Sequence, residues 1–360
     1  MIAAYVYPGW HRCPERDRGF PPRWSEWDLV LRALPRFPGH EQPRLPLHGA
    51  YDDSLPHTAE QQVSLARSFG IDLFVYGFFW SRGKRVFERA LDHGFLGAAC
   101  NSFPFAVMWA NRMPRRVLPV KRTRGAEIDS SRLVYTDPED FLALLRFLAE
   151  HYFVRPGYFR LQGRFLFSIF DSTFFVRQMG AATAREAIRA AREYLSGQGL
   201  PDLHLMAVNP APFLVPSLAA IGFDSATHYV HLPQWKGPYL QDYRTLTALR
   251  RSEWEGFFRA ARLPYFPSVS PGWDATPRGA LHGGRRIMRY PWWPVVVGGR
   301  PELFRDFLEA AVRFSSAAHA SNLTFVASWN EWSEGHYLEP DQRFGTGWLE
   351  AVLDAKSAAS

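Results

Sequence analysis

Three glutamates crowd the end of one apolar run near the C-terminus. The segment Thr324–Asp341 reads TFVASWNEWSEGHYLEPD; its apolar half, Thr324–Trp329, gives way at once to Asn330, Glu331, Trp332, Glu334 and, further on, Glu339. Two carboxylates held close together can divide acid and base roles when their surroundings push their pKa values apart. Spacing decides whether Glu331 and Glu334 form such a pair. Along an extended strand, residues three apart lie roughly 10 Å apart on opposite faces. In a helical step they become neighbours, with Cβ atoms about 5–6 Å apart. Trp332-Ser333 followed by Glu334-Gly335 has the character of a turn, with Gly335 relieving the backbone, so both glutamates are expected to face one cavity. The plainer alternative is a structural salt bridge from either glutamate to an arginine such as Arg278. Glu339, followed by Pro340, reads as a residue that holds the loop.

Such a pair needs a scaffold that delivers it. Eight apolar runs recur along the chain: Ile2–Tyr7, Ile71–Phe79, Phe103–Trp109, Phe165–Phe170, Leu203–Val208, Phe223–Val230, Tyr265–Val269 and Thr324–Trp329. Between and after them lie helix-like stretches: Ala59–Phe69, Val86–Phe95, Pro138–His151, Ala184–Ser196, Val215–Ile221, Asp242–Ala261, Pro301–His319 and Thr346–Lys356. Asp137 before Pro138 has the pattern of an N-cap, and Gly70 that of a helix C-terminal glycine. Near-continuous apolar strands alternating with helices fit a parallel sheet covered on both faces. Eight of each predict a single (β/α)8 TIM barrel with long βα loops, one catalytic domain over residues 1–360. The rival is a doubly wound open sheet, which usually places a glycine-rich phosphate turn after its first strand. Here that turn reads YPGWHRCPERD, with no G-x-G-x-x-G.

In a barrel, functional residues sit just beyond the carboxyl ends of the strands. Those positions hold Tyr7, Trp10 and His11 after the first run, Tyr76, Phe79 and Trp80 at the second, and Trp109 and Asn111 at the third. Asp171 and Asn209 follow the fourth and fifth, and His228, Tyr229 and His231 end the sixth. Trp273, Asp274 and Arg278 lie in SPGWDATPR after the seventh; Trp329, Asn330 and Trp332 flank the glutamates of the eighth. Aromatic planes, amides and carboxylates around one bowl suit a sugar, which stacks on rings and offers hydroxyls for directional bonds. For any one aromatic, core packing is the simpler account. The joint enrichment at eight strand ends is what points to a carbohydrate substrate.

Other chemistries find less support. There is no H-E-x-x-H or C-x-x-C spacing for a metal, no G-x-S-x-G elbow and no P-loop, so neither metal nor cofactor is expected. Cys13 and Cys100 alone make no disulfide framework. The opening MIAAYVYPGWH lacks the features of a signal peptide, and no run of about 18 apolar residues reads as a membrane span, so a reducing cytoplasm is the expected compartment. The net charge of +7 comes partly from Arg112–Arg124 (RMPRRVLPVKRTR) and from Arg285, Arg286 and Arg289. These patches carry no nucleic-acid motif; they fit a solvated loop surface or contact with an anionic glycan.

The segments AYVYPGWH, FPGHEQPRLPLHGAYD, GIDLFVYGFFW, FAVMWAN, SPGWDATPR and SWNEWSEGHYLEPD resemble WbsX-type proteins, which are similar to glycoside hydrolase family 99, the endo-α-mannosidases and endo-α-mannanases. The resemblance runs from residue 3 to about 350, with N-E-W-x-E-G as its most specific piece. It implies a (β/α)8 barrel and a retaining attack on an α-linked sugar through a neighbouring group. In that scheme Glu331 is the base toward the sugar 2-hydroxyl, whose oxygen closes on the anomeric carbon to give a 1,2-anhydro sugar. Glu334 protonates the leaving oxygen and later activates water. The chain departs from related patterns after W-A-N, where the basic text RMPRRVLPVKR speaks for an anionic glycan in place of a mannoside. A glycosyltransferase of surface-polysaccharide assembly is the alternative that the WbsX name carries; no D-x-D or nucleotide-binding motif supports it. A catalytically dead glycan-binding barrel fits poorly with two intact glutamates.

Overall fold

The computed structural model describes all residues except 18–19, 22, 113–136, 283–287, 319–321 and 359–360. Each of the eight apolar runs contains a strand. We number the barrel strands β1 (Ile2–Val6), β2 (Leu73–Ser81), β3 (Phe105–Trp109), β4 (Arg164–Ile169), β5 (Leu203–Val208), β6 (Ser225–Thr227), β7 (Tyr265–Phe266 and Ser268–Val269) and β8 (Thr324–Val326). Neighbours pair in parallel, β1 lying between β2 and β8. Every residue of β1, β3 and β5 is buried, as expected of strands covered on both faces by barrel interior and helices.

The barrel nearly closes through β7, which Pro267 divides. Tyr265 and Phe266 pair with Ala226 and Thr227 of β6, whereas Ser268 and Val269 pair with Phe325 and Val326 of β8. Proline has no N–H to give to a ladder, so it suits the point where the chain changes partner. Its carbonyl still accepts from Phe325 N at 2.9 Å. Nine parallel segments thus form the wall from eight sequence runs.

Helices fill the intervals largely as the sequence predicts, including Pro56–Ser68, Pro138–Leu148, Ala181–Gly197, Tyr243–Ala261, Pro301–Ala318 and Gly347–Ala358. Asp137 caps the second of these by accepting from Asp140 N, and Gly70 follows the first with φ +81°. The stretch Val86–Phe95 differs. Arg82 and Gly83 take positive φ, turning β2 back on itself so that Lys84–Val86 pairs with it and Val86 faces Phe79. Only Ala90–Phe95 then forms a π-helical turn. Among the described residues no helix is long and apolar enough to cross a membrane.

Asparagines clip the carboxyl rim together. Asn330, beyond β8, accepts from Tyr7 N at 2.8 Å and donates to Tyr7 O at 3.0 Å, tying β8 to β1. Asn111 does the same for β3 and β4, accepting from Asp171 N (2.8 Å) and donating to Asp171 O (3.0 Å). Asn209 bridges Phe170 O and Tyr229 N. Asn111 and Asn330, expected from sequence as sugar ligands, are fully buried with their amides engaged by backbone. Asn330→Ala leaves a buried N–H and C=O of Tyr7 without partners and should cost about 2–4 kcal/mol. A urea titration should show a lower midpoint with an unchanged slope.

Candidate active site

β8 delivers its glutamates through a tight, buried turn. Asn330–Glu331 pairs antiparallel with His336–Tyr337, and Trp332–Glu334 between them forms a 3-10 step. The helical step anticipated from the spacing is therefore present. Gly335 ends it with φ +69°, and a Cβ there would lie 2.9 Å from both Cβ and N of Asp274. Asp274 N in turn donates to Glu334 O at 2.8 Å. The Asp274 carboxylate accepts from His40 (2.8 Å), Gln42 (2.6 Å) and the Thr276 hydroxyl (2.7 Å). Burial opposes its charge, yet these bonds and Arg44 hold it well below the usual carboxylate range. Asp274, expected among the substrate contacts, is fully buried and holds the turn.

One guanidinium gathers the acidic groups. Arg278 donates through Nη2 to Glu331 Oε1 (2.6 Å) and Glu26 Oε1 (2.9 Å), and through Nη1 to Glu334 Oε1 and the Tyr290 hydroxyl (3.0 Å). The salt bridge weighed as the plain alternative thus exists for both glutamates. Being shared by two acids, it brings them together on one cation. Tyr229 donates to Glu331 Oε2 at 2.9 Å and Tyr290 to Glu334 Oε1 at 2.6 Å. Burial raises both tyrosine hydroxyls well above their ordinary value and keeps them donors. His336 Nε2 lies 3.4 Å from Glu334 Oε2.

These surroundings push the two acids apart. Burial is the largest influence on Glu331 and raises it to about 8, with Glu334 and Glu26 adding to the rise against the pull of Arg278. Burial acts on Glu334 too, but Arg278, His336 and Tyr290 outweigh it and hold that carboxyl down at about 2. Because the pair interacts strongly, its protons belong to the pair. The direction of the two shifts favours a proton on Glu331 and charge on Glu334.

The other expected contacts divide into two groups. Tyr7, Trp273 and Tyr229 stand around the acids: Tyr7 donates to Glu26 Oε2 at 2.5 Å, and Trp273 stacks on His336 with ring centres 5.6 Å apart. Trp10, Trp109, Trp329 and Trp332, expected to stack on substrate, are buried to below 2 % exposure. Trp10 donates to Asn330 O, Trp109 to Trp80 O, and Trp332 to Glu339. Trp80 donates to Asp140, and Tyr76 packs between Phe74 and Phe95. His11 is buried against Asp53 (2.6 Å), while His228 bonds Tyr265 (2.8 Å) and stacks on His231. The physical reason is alternation: side chains at a strand end that point between barrel and helices join the core whatever their type. Glu339 accepts from Gln62, Tyr51 and Trp332, holding the loop as expected. Arg112 pairs with Asp171 at 2.6 Å. The remainder of the basic stretch, 113–124, and Arg285 and Arg286 lie outside the described residues.

Sequence reasoning missed Glu26, Arg16, Tyr290 and His336. Glu26 and Arg16 lie in the long β1–β2 connection, where no local pattern marks them. His336 was legible in principle, since a hairpin reading of N-E-W-S-E-G-H places it opposite Glu331.

Barrel and rim define a (β/α)8 protein built like the glycoside hydrolases. The chain belongs to the Glycosyltransferase WbsX family, which it matches over residues 1–352. A curated relative, the uncharacterized protein WxcX of Xanthomonas campestris pv. campestris, is 28% identical across 99% of this chain, which spans about half (50%) of that relative's length. Among solved structures, the GH99 endo-alpha-mannosidase from Bacteroides thetaiotaomicron aligns with TM-score 0.62 at 15% identity, covering 99% of this chain and 97% of that one. A glycoside hydrolase-like protein aligns with TM-score 0.63 at 16% identity, covering 98% and 93%. At such identities the likeness is one of fold.

Gly335→Ala combines left-handed strain with a clash on Asp274 and should lower stability by at least about 2 kcal/mol, measured by thermal unfolding. Carbon-13 NMR of the unliganded protein labelled at glutamate side chains should show one carboxyl titrating with a midpoint near 8. Glu331→Gln should abolish that titration.

Proposed function

We propose that this chain is a retaining glycoside hydrolase acting on an α-linked glycan or bacterial polysaccharide, with Glu331 as base and Glu334 as acid. The observation that carries the reading is the single guanidinium holding both acids at the barrel's carboxyl rim, with their proton affinities driven apart. Glu331 takes the proton of the sugar 2-hydroxyl as that oxygen bonds to the anomeric carbon. The glycosidic bond breaks, and its oxygen receives the proton of Glu334. Water then attacks the anomeric carbon, giving a proton back to Glu334, while the 2-oxygen regains its proton from Glu331. No protein nucleophile is required, unlike the usual two-carboxylate displacement.

The first step needs a proton on Glu334, whereas the protein's own contacts favour it on Glu331. A bound sugar supplies the driving force for the move. A 2-hydroxyl donating to Glu331 favours its charged form, and a leaving oxygen accepting from Glu334 favours its protonated form. The α linkage is proposed by analogy with the GH99 endo-alpha-mannosidase whose fold this chain shares.

Glycosyl transfer, which the family's description names, is the second reading. A nucleotide-sugar donor brings a diphosphate, and here Glu26, Glu331 and Glu334 surround the arginine that would meet it. That charge arrangement favours hydrolysis of a neutral ring. Any anionic group of the glycan would then sit away from the cleaved bond.

The test is release of reducing ends from a panel of α-linked and anionic bacterial polysaccharides without added nucleotide sugar. Wild type should cleave a member of the panel, and Glu334→Gln and Glu331→Gln should each lose about 10²–10⁴-fold in rate. A 2-deoxy analogue of the cleaved sugar should remain intact; its normal turnover would exclude the anhydro route. Rates unchanged in Glu334→Gln would remove that residue from the reaction.

A further inference from the structure

Glu26 is a third carboxylate in the cluster, with 0 % exposure, and the acid–base reading leaves it without a role. It precedes the short helix Trp27–Leu31, far from β8 in sequence, yet touches the catalytic turn directly. Its Oε1 accepts from Ser333, the residue between Trp332 and Glu334, and from Arg278 Nη2 at 2.9 Å. Its Oε2 accepts from Tyr7 at 2.5 Å and from Arg16 Nη2 at 2.8 Å. Arg16 is likewise fully buried, and its Nη1 donates to the carbonyls of Gly9 and His11.

We propose that Glu26 is a positioning residue that sets how many protons the Glu331–Glu334 pair holds, by taking a share of Arg278 and adding one buried negative charge beside the pair. The proposal rests on the acid–base reading of that pair. Its physical basis is charge balance. Glu26, Glu331 and Glu334 face Arg16 and Arg278, so three carboxylates meet two guanidiniums and neutrality requires one proton. Among the described residues, the remaining titratable groups facing the pair are the hydroxyls of Tyr7, Tyr229 and Tyr290 and the His336 imidazole. Burial keeps the tyrosines protonated and disfavours charge on His336, so none of them supplies the balancing charge. Without Glu26 the same cluster would be neutral with both catalytic acids ionised, leaving no acid for the leaving oxygen. Arg16, itself fully buried, pairs with Glu26 at 2.8 Å and offsets the cost of burying that carboxylate.

The experiment reads the proton directly, in the full unliganded chain, by carbon-13 glutamate NMR. Glu26→Gln should shift the pair's upper titration down by about one pH unit or more, since a charge within a few ångströms acts on that scale. Arg16→Gln removes a cation and should shift it up. Glu26→Asp, which keeps the charge, should stay closer to wild type than Glu26→Gln. Any of these variants that folds gives a decision, and an unmoved titration in folded Glu26→Gln or Arg16→Gln would overturn the proposal. Thermal unfolding runs alongside, because a merely structural Glu26 would lower the melting temperature in each variant and leave the titration in place. The readout needs no substrate. Failure of the hydrolase reading would appear as an absent product with the titration shifts intact, and failure of this proposal as the reverse.

Discussion

The carboxyl rim of this barrel depends on the burial of one guanidinium. Arg278 has a side chain 11 % exposed and is shared by Glu26, Glu331 and Glu334. Removing such a cation from water costs several kcal/mol unless charged partners and good geometry offset it. The partners come from opposite ends of the chain: Glu26 from the β1 connection, Arg278 from the turn after β7, Glu331 and Glu334 from beyond β8. In a closed barrel β1 and β8 are neighbours, so closure itself brings them together. The divided strand at Pro267 serves the same end, since its second half pairs with β8 and carries the chain on toward Trp273, Asp274 and Arg278.

Around that centre, most polar groups of the rim bind protein. Asn111, Asn209 and Asn330 clip strand ends; Asp274 fixes the turn through Gly335; Glu339 fixes the loop beyond it. Each bond fixes the position of a backbone segment bearing a reactive group. Preorganisation of this kind is where electrostatic catalysis finds most of its strength.

The sequence disclosed the barrel because parallel strands buried on both faces leave unbroken apolar runs, and eight of them stand out even where a strand is only three residues long, as in β6 and β8. The glutamate pair was legible because three residues with a glycine behind them can only be neighbours in a helical step. What failed was the inference from residue type to direction. Tryptophan and asparagine at a strand end serve a sugar or the core equally well, and only the geometry of the turn decides. Trp109 donating to Trp80 O and Asn111 clasping Asp171 are core solutions written in sugar-binding residue types. Glu26 and Arg16 were illegible for another reason. Glu26 meets Ser333 across 307 positions, and no periodicity spans such a separation.

The family's description and the solved neighbours point to two reactions at one kind of atom. Both hydrolysis and transfer break a bond at an anomeric carbon and need an acid, a base and shielding from the wrong acceptor. They differ in the leaving group. A sugar hydroxyl is a poor leaving group that requires a proton, whereas a nucleoside diphosphate leaves as an anion and requires cations. Among the described residues Arg278 is shared by three acids, Glu26, Glu331 and Glu334, and in the proposed scheme the pair holds a single proton that substrate contacts move between its members. A centre short of positive charge and supplied with a mobile proton suits a leaving hydroxyl. In the proposed scheme both acids are occupied in proton transfer, so retention of configuration requires a nucleophile from the substrate, and the 2-hydroxyl is the group a sugar carries next to the carbon under attack.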